Sequence, residues 1–354
     1  MSIHVKVGNV FKNVAEIGVK VGTQMRSTVE GYIKVGTTYR YFFRKIMSKV
    51  WYLGIDNPPQ GNWISGAYGK LSSGVNRLVV IEGSSNRAIY SDASGPRRGT
   101  WKTAYLPTMA GWQRITFGLG KFVAVSTFSN RAAWSSDGVT WYSSTLPYTG
   151  GWGEVAFVGG KFIATQFGTR TGLDKTDKLA YSLDGVSWTG VTLPVAGNWT
   201  KVRHNGTIFV CCSAGSNDYI YSSDGIRWNR ASMPSISNWA GLESMNGEFI
   251  SIGGVANVNS NLYAIYKNGR WNERRFPVSA KWATIGKYDG EWVVAEFRGG
   301  PLTLVSSDGE QWETKSLGVA GAATIDLVDA GNGLFAVLAD GNYGPRYMAP
   351  TTEI

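Results

Sequence analysis

The sequence has few of the residues on which catalytic and cross-linked proteins depend. Its only two cysteines, Cys211 and Cys212, are adjacent and cannot join distant segments, which excludes a disulfide framework. Its only two histidines are His4 and His204, so neither a histidine-based metal centre nor a Ser-His-Asp triad is expected. No run approaches the ~18 apolar residues of a membrane span, and the N-terminus lacks the apolar stretch of a secretory signal. We expect no cofactor, no metal and no membrane insertion.

Glycine and tryptophan are abundant instead, with 46 and 15 residues among 354. This composition is typical of short strands joined by tight turns. The formal net charge of +10 is uneven, because residues 1–50 contain nine Lys and Arg against Glu16 and Glu30, giving 9 − 2 = +7. The basic character therefore belongs to the first 50 residues, and the rest of the chain is close to neutral.

A unit of 40 to 50 residues repeats along most of the chain. It consists of Ser-x-Asp-Gly-x-x-Trp, about five residues, Leu-Pro, a short loop and a second Trp. The first Trp of the units is Trp51, Trp101, Trp141, Trp188, Trp228, Trp271 and Trp312, and the second is Trp63, Trp112, Trp152, Trp199, Trp239 and Trp282, with Ala323 in the last place. This period fits a four-stranded propeller blade, and Asp-Gly between two alternating runs is a strong hairpin signal.

The two ends of the repeat complete one another. The last unit ends after its third strand, Arg346–Met348, whereas Trp51 belongs to a fourth strand that lacks the first three. We therefore predict an all-β fold in which residues 50–354 form a seven-bladed β-propeller of four-stranded blades. Val50–Leu53 is predicted to pair with Arg346–Met348 and close the ring, which removes two exposed sheet edges. Residues 1–49 are predicted to form a separate basic arm of short β-hairpins.

The Ser-x-Asp-Gly-x-x-Trp turns resemble the Asp boxes, or BNR repeats, of sialidase-like propellers, over roughly residues 50–350. The resemblance implies that each Asp caps its own turn and that each Trp packs between blades, so that these residues are structural and not catalytic. The residues concerned are Asp137, Asp184, Asp224, Asp308, Trp141, Trp188, Trp228 and Trp312.

Catalysis finds little support in the residues. Sialidases also have an arginine triad, a Tyr–Glu pair and an acid/base Asp, and the sequence shows no segment that corresponds to their Phe-Arg-Ile-Pro-like motif. Acidic residues outside the turns, among them Glu154, Glu243 and Asp326, are scattered, and no spacing marks two of them as a hydrolase pair. We therefore predict that the protein is not an enzyme.

Ligand binding is expected on the face opposite the Asp-Gly turns, where the loops are rich in Asn, Ser, Gly, Tyr and Arg. The longest of these loops, Gln166–Lys178, is the candidate for specificity, because long loops are often functional. An ordinary solvated insertion is the alternative interpretation. The candidate ligand residues are Arg170, Asp174, Lys175, Asp177 and Lys178.

A second repeat, with a period of 14 residues, lies in residues 3–43. Val5–Gly8, Val19–Gly22 and Ile33–Gly36 align register for register. They resemble the N-terminal VKVG segments of phage virion proteins, and this resemblance implies attachment to other virion proteins through residues 1–49. A single hairpin is too small to be stable, so we expect pairing with a partner or with further copies in a homo-oligomer; an independent small β domain is the alternative. Nucleic acid is not the expected partner, because no known binding motif is present.

These observations together predict a phage virion protein, made in the host cytoplasm and located on the virion. It would be a tail fibre or tail-tip receptor-binding protein whose propeller binds a host surface glycan or protein. Two alternatives stay open: a capsid or tail decoration protein without receptor binding, and a glycoside hydrolase.

Overall fold

The computed structural model divides the chain into two compact units, Met1–Val50 with Thr352–Ile354, and Trp51–Thr351. The residues that the structure describes are 4–7, 10–13, 18–21, 24–27, 30–35, 38–44, 51–53, 59–92, 101–168, 175–254, 259–296, 302–316, 324–329, 334–338 and 346–350.

The first unit contains three antiparallel hairpins. Their strands are β1 (His4–Val7), β2 (Val10–Asn13), β3 (Gly18–Val21), β4 (Gln24–Ser27), β5 (Glu30–Val35) and β6 (Thr38–Arg44). The pairing repeats with the 14-residue period, because Val5 lies opposite Lys12, Val19 opposite Arg26 and Ile33 opposite Arg40. The three hairpins are thus three copies of one structural unit.

The second unit begins with β7 (Trp51–Leu53) and continues with three antiparallel sheets of four strands each. The first contains β8 (Trp63–Lys70), β9 (Asn76–Glu82), β10 (Arg87–Asp92) and β11 (Lys102–Tyr105). The second contains β12 (Gly111–Gly118), β13 (Lys121–Thr127), β14 (Ser129–Ser135) and β15 (Tyr142–Gly150). The third contains β16 (Trp152–Val158), β17 (Lys161–Gln166), β18 (Thr176–Ser182) and β19 (Thr189–Gly197).

The next six strands form one sheet, in the order β20 (Trp199–His204), β21 (Phe209–Ser222), β22 (Asn229–Met245), β23 (Glu248–Gly253), β24 (Ser260–Lys267) and β25 (Arg270–Ala280). A fourth four-stranded sheet contains β26 (Trp282–Tyr288), β27 (Glu291–Glu296), β28 (Leu302–Ser306) and β29 (Glu313–Ser316). The fifth contains β30 (Thr324–Asp329), β31 (Leu334–Leu338), β32 (Arg346–Pro350) and β7.

The all-β propeller is confirmed, but the prediction of seven four-stranded blades is wrong, since the structure has five blades of four strands. The difference lies in β21 and β22, which have 14 and 17 residues. The predicted loops at Ser213–Asp218 and Met233–Trp239 fall inside these strands, where Ala214 pairs with Asn238 and Ser216 with Ser237. Backbone pairing therefore continues through both loops, and residues 199–280 form a single six-stranded sheet.

The closing strand lies beside the last strand of the propeller. Leu53 pairs with Met348, Tyr52 with Ala349 and Trp51 with Pro350. The ring also closes at its centre. Each four-stranded sheet contributes one innermost strand and the six-stranded sheet contributes two, β20 and β22. These strands contact one another in the order β8, β12, β16, β20, β22, β26 and β30, and β30 contacts β8. These strands surround a central channel.

The core lies between neighbouring sheets. The second strands β9, β13 and β17 supply fully buried aliphatic residues such as Val79, Val123 and Ile163, and the second Trp of the repeat units is also buried, as at Trp63 and Trp152. These large aromatic side chains bury much apolar surface, which is the main stabilising contribution to such a fold. Within the described part of the chain, no helix is long and apolar enough to cross a membrane.

Candidate functional site

The four Ser-x-Asp-Gly turns share one hydrogen-bond pattern. The Asp184 carboxylate accepts the backbone N–H groups of Val186 at 2.7 Å and Ser187 at 2.8 Å, and the Ser182 hydroxyl donates to it at 2.9 Å. The same three bonds form at Asp137, Asp224 and Asp308. Each carboxylate thus satisfies the N–H groups of its own turn, which is how a short acidic side chain stabilises this geometry.

These hydrogen bonds keep the turn carboxylates ionised. Burial opposes ionisation of Asp184, but the N–H groups of Ser187 and Val186 lower its pKa to about 2. The N–H groups of Arg227 and Ile226 lower the pKa of Asp224 to about 2 as well. Carboxylates with such low pKa values carry no proton near neutral pH and cannot act there as general acids.

The first Trp of each unit packs between neighbouring sheets. Trp141 lies in a cluster with Val79 and Leu106 of the preceding sheet and Phe122 of its own. Trp228 packs in the same way, and Trp188 and Trp312 are partly buried against clusters that also combine two sheets. These side chains therefore hold the sheets together.

The turns also bind the preceding sheet through their backbone. The Arg77 guanidinium donates to the carbonyl of Asp137, and the Lys161 ammonium donates to the carbonyl of Asp224 at 2.8 Å. Gly138 has a φ of +73°, and a Cβ there would lie 2.7 Å from the Val79 side chain. Glycine is thus required at this position both by the backbone conformation and by the close approach of the preceding sheet, which contains Val79.

The predicted loop residues do not form a pocket in the described part of the chain. Arg170 and Asp174 lie outside the described residues. Lys175 is exposed, and Lys178 bonds to neighbours in its own sheet, with Asp177 at 3.1 Å and the Thr192 hydroxyl at 3.2 Å. Lys175, Asp177 and Lys178 do not line the cavity in the central channel, which is described next.

The channel contains the group of charged side chains that sequence reasoning missed. Six innermost strands have a register shift close to their first residue, as between Trp112 and Arg114 and between Trp152 and Glu154, and β22 has one between Trp239 and Gly241. Bulges of this kind turn a side chain out of the regular alternation. The central channel contains a cavity of about 460 Å³. The charged residues that line it are Arg114, Glu154, Lys201, Arg203, Glu243, Lys287 and Asp326.

Most of these charges are paired across neighbouring strands. Arg203 contacts Glu154 at 3.0 Å and Glu243 at 2.9 Å, and Arg114 contacts Glu154 at 3.3 Å. Lys287 lies 3.5 Å from Glu243 and donates to the Ser244 carbonyl at 2.8 Å. We call this set of paired side chains the channel network; it connects the innermost strands β12, β16, β20, β22 and β26.

The channel network fixes the charge states of Arg203 and Glu243. Burial acts against the charge of Arg203, but Glu243 and Glu154 raise the pKa of its guanidinium above the usual range. Burial would likewise raise the pKa of Glu243, yet Arg203 and Lys287 hold it below the ordinary value. The buried carboxylate and guanidinium therefore stabilise one another as ions.

Lys201 differs from the other cations of the channel. Its ammonium lies 3.7 Å from Asp326, beyond hydrogen-bond distance, while Asp326 accepts the Ser65 hydroxyl at 2.8 Å. Burial lowers the pKa of Lys201, although Asp326 and Glu154 act in the opposite direction. Lys201 is thus a nearly buried cation that lines the cavity with an incomplete set of partners.

The cavity extends toward the face of the Ser-x-Asp-Gly turns. Its lining reaches Val158 and Gly159, at the end of β16 and the turn after it. A second, open cleft of about 340 Å³ lies at the turns that follow β20, β22 and β26 and includes His204 and Asp289. Burial and the nearby Lys161 lower the pKa of His204. Both cavities are therefore found away from the loop face on which binding was predicted. Among the described residues, no group of His, Cys, Asp and Glu could hold a metal ion.

One signal in the sequence could have located the channel residues. Arg114, Glu154 and Lys201 each follow the second Trp of their repeat unit by two residues. The first strand of each unit lines the centre of a propeller, so charged residues at the same place in different units are expected to lie close together there. Their distance of 40 residues or more along the chain concealed the relation.

Comparison with known proteins supports the architecture alone. No protein-family model matches the sequence, and no curated protein matches it either. Among solved structures, the chain is similar to a catalytically inactive virginiamycin B lyase from Staphylococcus aureus with quinupristin, with a TM-score of 0.68 and 11% identity over 83% of this chain and 97% of that one. It is also similar to a streptogramin B lyase, with a TM-score of 0.69 and 14% identity over 85% and 98% of the two chains.

A third similar structure is YCF48 from Cyanidioschyzon merolae, with a TM-score of 0.61 and 11% identity over 86% of this chain and 100% of that one. At such low identity these structures share a β-propeller fold with the chain, and their functions do not carry over.

Proposed function

We propose that the protein is a phage virion protein that binds a carbohydrate or protein on the host surface through the loop face of its propeller. Residues 1–49 attach it to other virion proteins, and the Asp-box turns serve only to stabilise the propeller. The observation that carries the binding role is an exposed aromatic residue in a strained backbone conformation, Phe128.

Phe128 has a φ of +52° and a side chain that is 48% exposed. A bulky residue in the left-handed region costs about 1–3 kcal/mol and is uncommon outside sites where the strain serves a function. The strained backbone holds an apolar ring about half exposed to solvent, so the ring contributes less to packing within the protein than a buried one would. A ligand that covers the ring supplies the missing benefit.

The surroundings of Phe128 form a small surface for such a ligand. Arg131 lies three residues further along the chain, near the start of β14, and its guanidinium donates to the Met109 carbonyl at 3.2 Å. Met109 is 69% exposed. An aromatic ring, a thioether and a guanidinium offer both apolar contact and hydrogen-bond donors. We call Met109, Phe128 and Arg131 the loop-face patch.

Part of the loop face has a paired backbone in the absence of any ligand. Ser129 pairs with Gly150, Thr176 with Gly197 and Ser260 with Ala280, so strand pairing in three sheets extends to these residues. A surface whose backbone is already hydrogen-bonded loses little conformational entropy on binding. This favours a receptor-binding role over a decoration role, in which no ordered ligand surface is required.

The attachment role rests on the first unit. Three hairpins of equal register repeat with the period of the VKVG segments, and they belong to a compact unit separate from the propeller. Regular copies of one small β unit suit repeated contacts with a regular assembly. The lysines Lys6, Lys20 and Lys34 recur at the same place in each copy and would favour an acidic partner surface.

A glycoside hydrolase is disfavoured by the channel carboxylates. A catalytic acid of that class needs a carboxyl group with a raised pKa, whereas Arg203 and Lys287 hold the pKa of Glu243 low against the effect of burial. Glu154 is likewise bonded to Arg114 and Arg203.

The binding role is tested with the full chain and a matched pair of variants. Phe128→Gly relieves the strain and removes the aromatic ring. The matched control is Leu119→Gly, which relieves the strain and removes the side chain at a second exposed residue, with a φ of 48°, on the opposite face. Both variants are expected to be more stable than the wild type by up to about 1 kcal/mol. On glycan arrays and bacterial cells, only Phe128→Gly is expected to lose binding, by at least tenfold.

Equal binding by the two variants, or no binding of the wild-type chain to any host surface, would count against the receptor role and favour a decoration protein. Attachment is tested separately by Lys6→Glu/Lys20→Glu/Lys34→Glu, which is expected to reduce incorporation into particles without changing cell binding by the free chain.

A further inference from the structure

We propose that the central channel contains a binding site for one small oxyanion, with the Lys201 ammonium as its principal donor. This inference is independent of the proposed receptor binding, which concerns the loop face. It rests on the partners of Lys201, on the charge balance of the channel and on the size of the cavity.

The first observation is the unused hydrogen-bonding capacity of Lys201. An ammonium group has three donors, yet no described residue accepts a hydrogen bond from this one, and its only ion pair is with Asp326 at 3.7 Å. The side chain is only 8% exposed, so bulk water cannot replace the missing acceptors in full. Buried charges of this kind are costly unless a partner with good geometry is present.

The acidic partner nearest to Lys201 has one of its two oxygens engaged elsewhere. Oδ2 of Asp326 accepts the Ser65 hydroxyl at 2.8 Å, and the same hydroxyl accepts the N–H of Ile115 at 3.3 Å. These bonds hold the carboxylate beside β8, while its other oxygen, Oδ1, stays 3.7 Å from the ammonium. Lys201 is therefore left facing the cavity.

The second observation is a surplus of positive charge. Among the described channel residues there are four cations, Arg114, Lys201, Arg203 and Lys287, and three carboxylates, Glu154, Glu243 and Asp326. The Arg203 pairs and the Lys287 pair already use Glu154 and Glu243. One further negative charge beside Lys201 would make the set neutral, and at low dielectric this neutralisation is strongly favourable.

The third observation is space. The cavity of about 460 Å³ lies within the range of roughly 300–1,000 Å³ that is typical of small-ligand sites, and Lys201 and Arg114 both line it. A tetrahedral or planar oxyanion has several acceptor oxygens and can accept from more than one of these donors. The ligand is thus a free phosphate-like ion or the acidic group of a small molecule.

The test measures binding of inorganic phosphate and of acetate to the full chain by calorimetry, at constant ionic strength with chloride as the balancing ion. We expect saturable binding of at least one of the two, with one site per chain. Tighter binding of phosphate indicates a tetrahedral ion or phosphate group, and tighter binding of acetate indicates a carboxylate ligand. Absence of saturable binding of both anions would overturn the proposal.

Two variants with opposite expected effects identify the site. Lys201→Met should weaken binding at least tenfold, because it removes the principal donor. Asp326→Asn keeps an acceptor for Ser65 but removes the competing negative charge, so it should tighten binding severalfold, a gain that misfolding cannot produce. Lys267→Met, a change of an exposed lysine that pairs with Glu248, is the control and should leave affinity unchanged. If Asp326→Asn binds no more tightly than the wild type, or Lys201→Met binds equally well, the assignment to Lys201 is wrong.

Discussion

Carboxylates occur in two settings in this propeller, and the two settings differ in the distance along the chain between the partners. In the Ser-x-Asp-Gly turns, each Asp bonds to groups two or three residues away. In the channel network, Glu154 bonds to Arg114 and Arg203, which are 40 and 49 residues away. The carboxylate bonds of the turns therefore stabilise single sheets locally, whereas the channel network and the closing strand connect residues that are far apart in the chain. Disruption of long-range contacts should cost more than disruption of local ones.

The largest effect is expected from the closing strand. Deletion of residues 1–53 removes β7, so the last sheet loses its outermost strand and the exposed edge of β32 can pair with other chains. We expect loss of a single cooperative thermal transition and concentration-dependent aggregation, measured by calorimetry and light scattering. Deletion of residues 1–47 keeps β7 and is the control; a cooperative transition in both deletions would show that the strand is dispensable.

The next effect concerns the channel network. Arg203→Met leaves Glu154 and Glu243 buried without their shared cation, and removal of one partner from a buried ion pair costs about 3–5 kcal/mol. The free energy of unfolding in urea measures this loss. Arg230→Met breaks the pair with Asp218, in which Arg230 is half exposed, and should cost less than about 1 kcal/mol. Similar losses in the two variants would contradict the greater importance of the channel.

A single turn should contribute less. Asp137→Ala removes the acceptor for Val139 and Thr140, and loss of hydrogen bonds to a partly exposed charged group is expected to cost about 1–2 kcal/mol. Urea denaturation of Asp137→Ala, Asp224→Ala and the double variant would show additive losses, because the two turns share no partners. Strong coupling between them would mean that the turns act together and not locally.

The smallest effect is a change in acid sensitivity. The pKa of Asp184 and of Asp224 is about 2 in the folded chain, below the ordinary value of 3.8. The stability that they contribute is therefore fully present above about pH 4 and is lost as the pH falls toward 2. The variant Asp184→Asn/Asp224→Asn should show a flatter dependence of unfolding free energy on pH between 4 and 2, measured in urea. An unchanged slope would assign acid sensitivity to other groups.

The same contrast between near and distant partners explains what could be predicted from the sequence. The propeller class and the hairpin turns follow from short motifs that carry their own partners. The closing strand at residues 51–53 has a distant partner, but it follows from the count of strands in the repeat, which leaves one strand over at the start and one missing at the end. The blade number was wrong because nothing in the motif shows that β21 and β22 continue through two expected loops. The partners of Glu154 could not be recognised, because only the assembled ring brings Arg114 and Arg203 to it.

The closing pair also sets an order of events during synthesis. Leu53 and Met348 are 348 − 53 = 295 residues apart, so at translation rates of about 5–20 residues per second the first strand waits roughly 15–60 s for its neighbour. During that time every other sheet can fold while β7 keeps an unused edge. Two nascent chains at high local concentration could exchange β7 by domain swapping. In the resulting dimer, β7 of each chain would pair with β32 of the other. Production at low expression rates should therefore favour the monomeric ring.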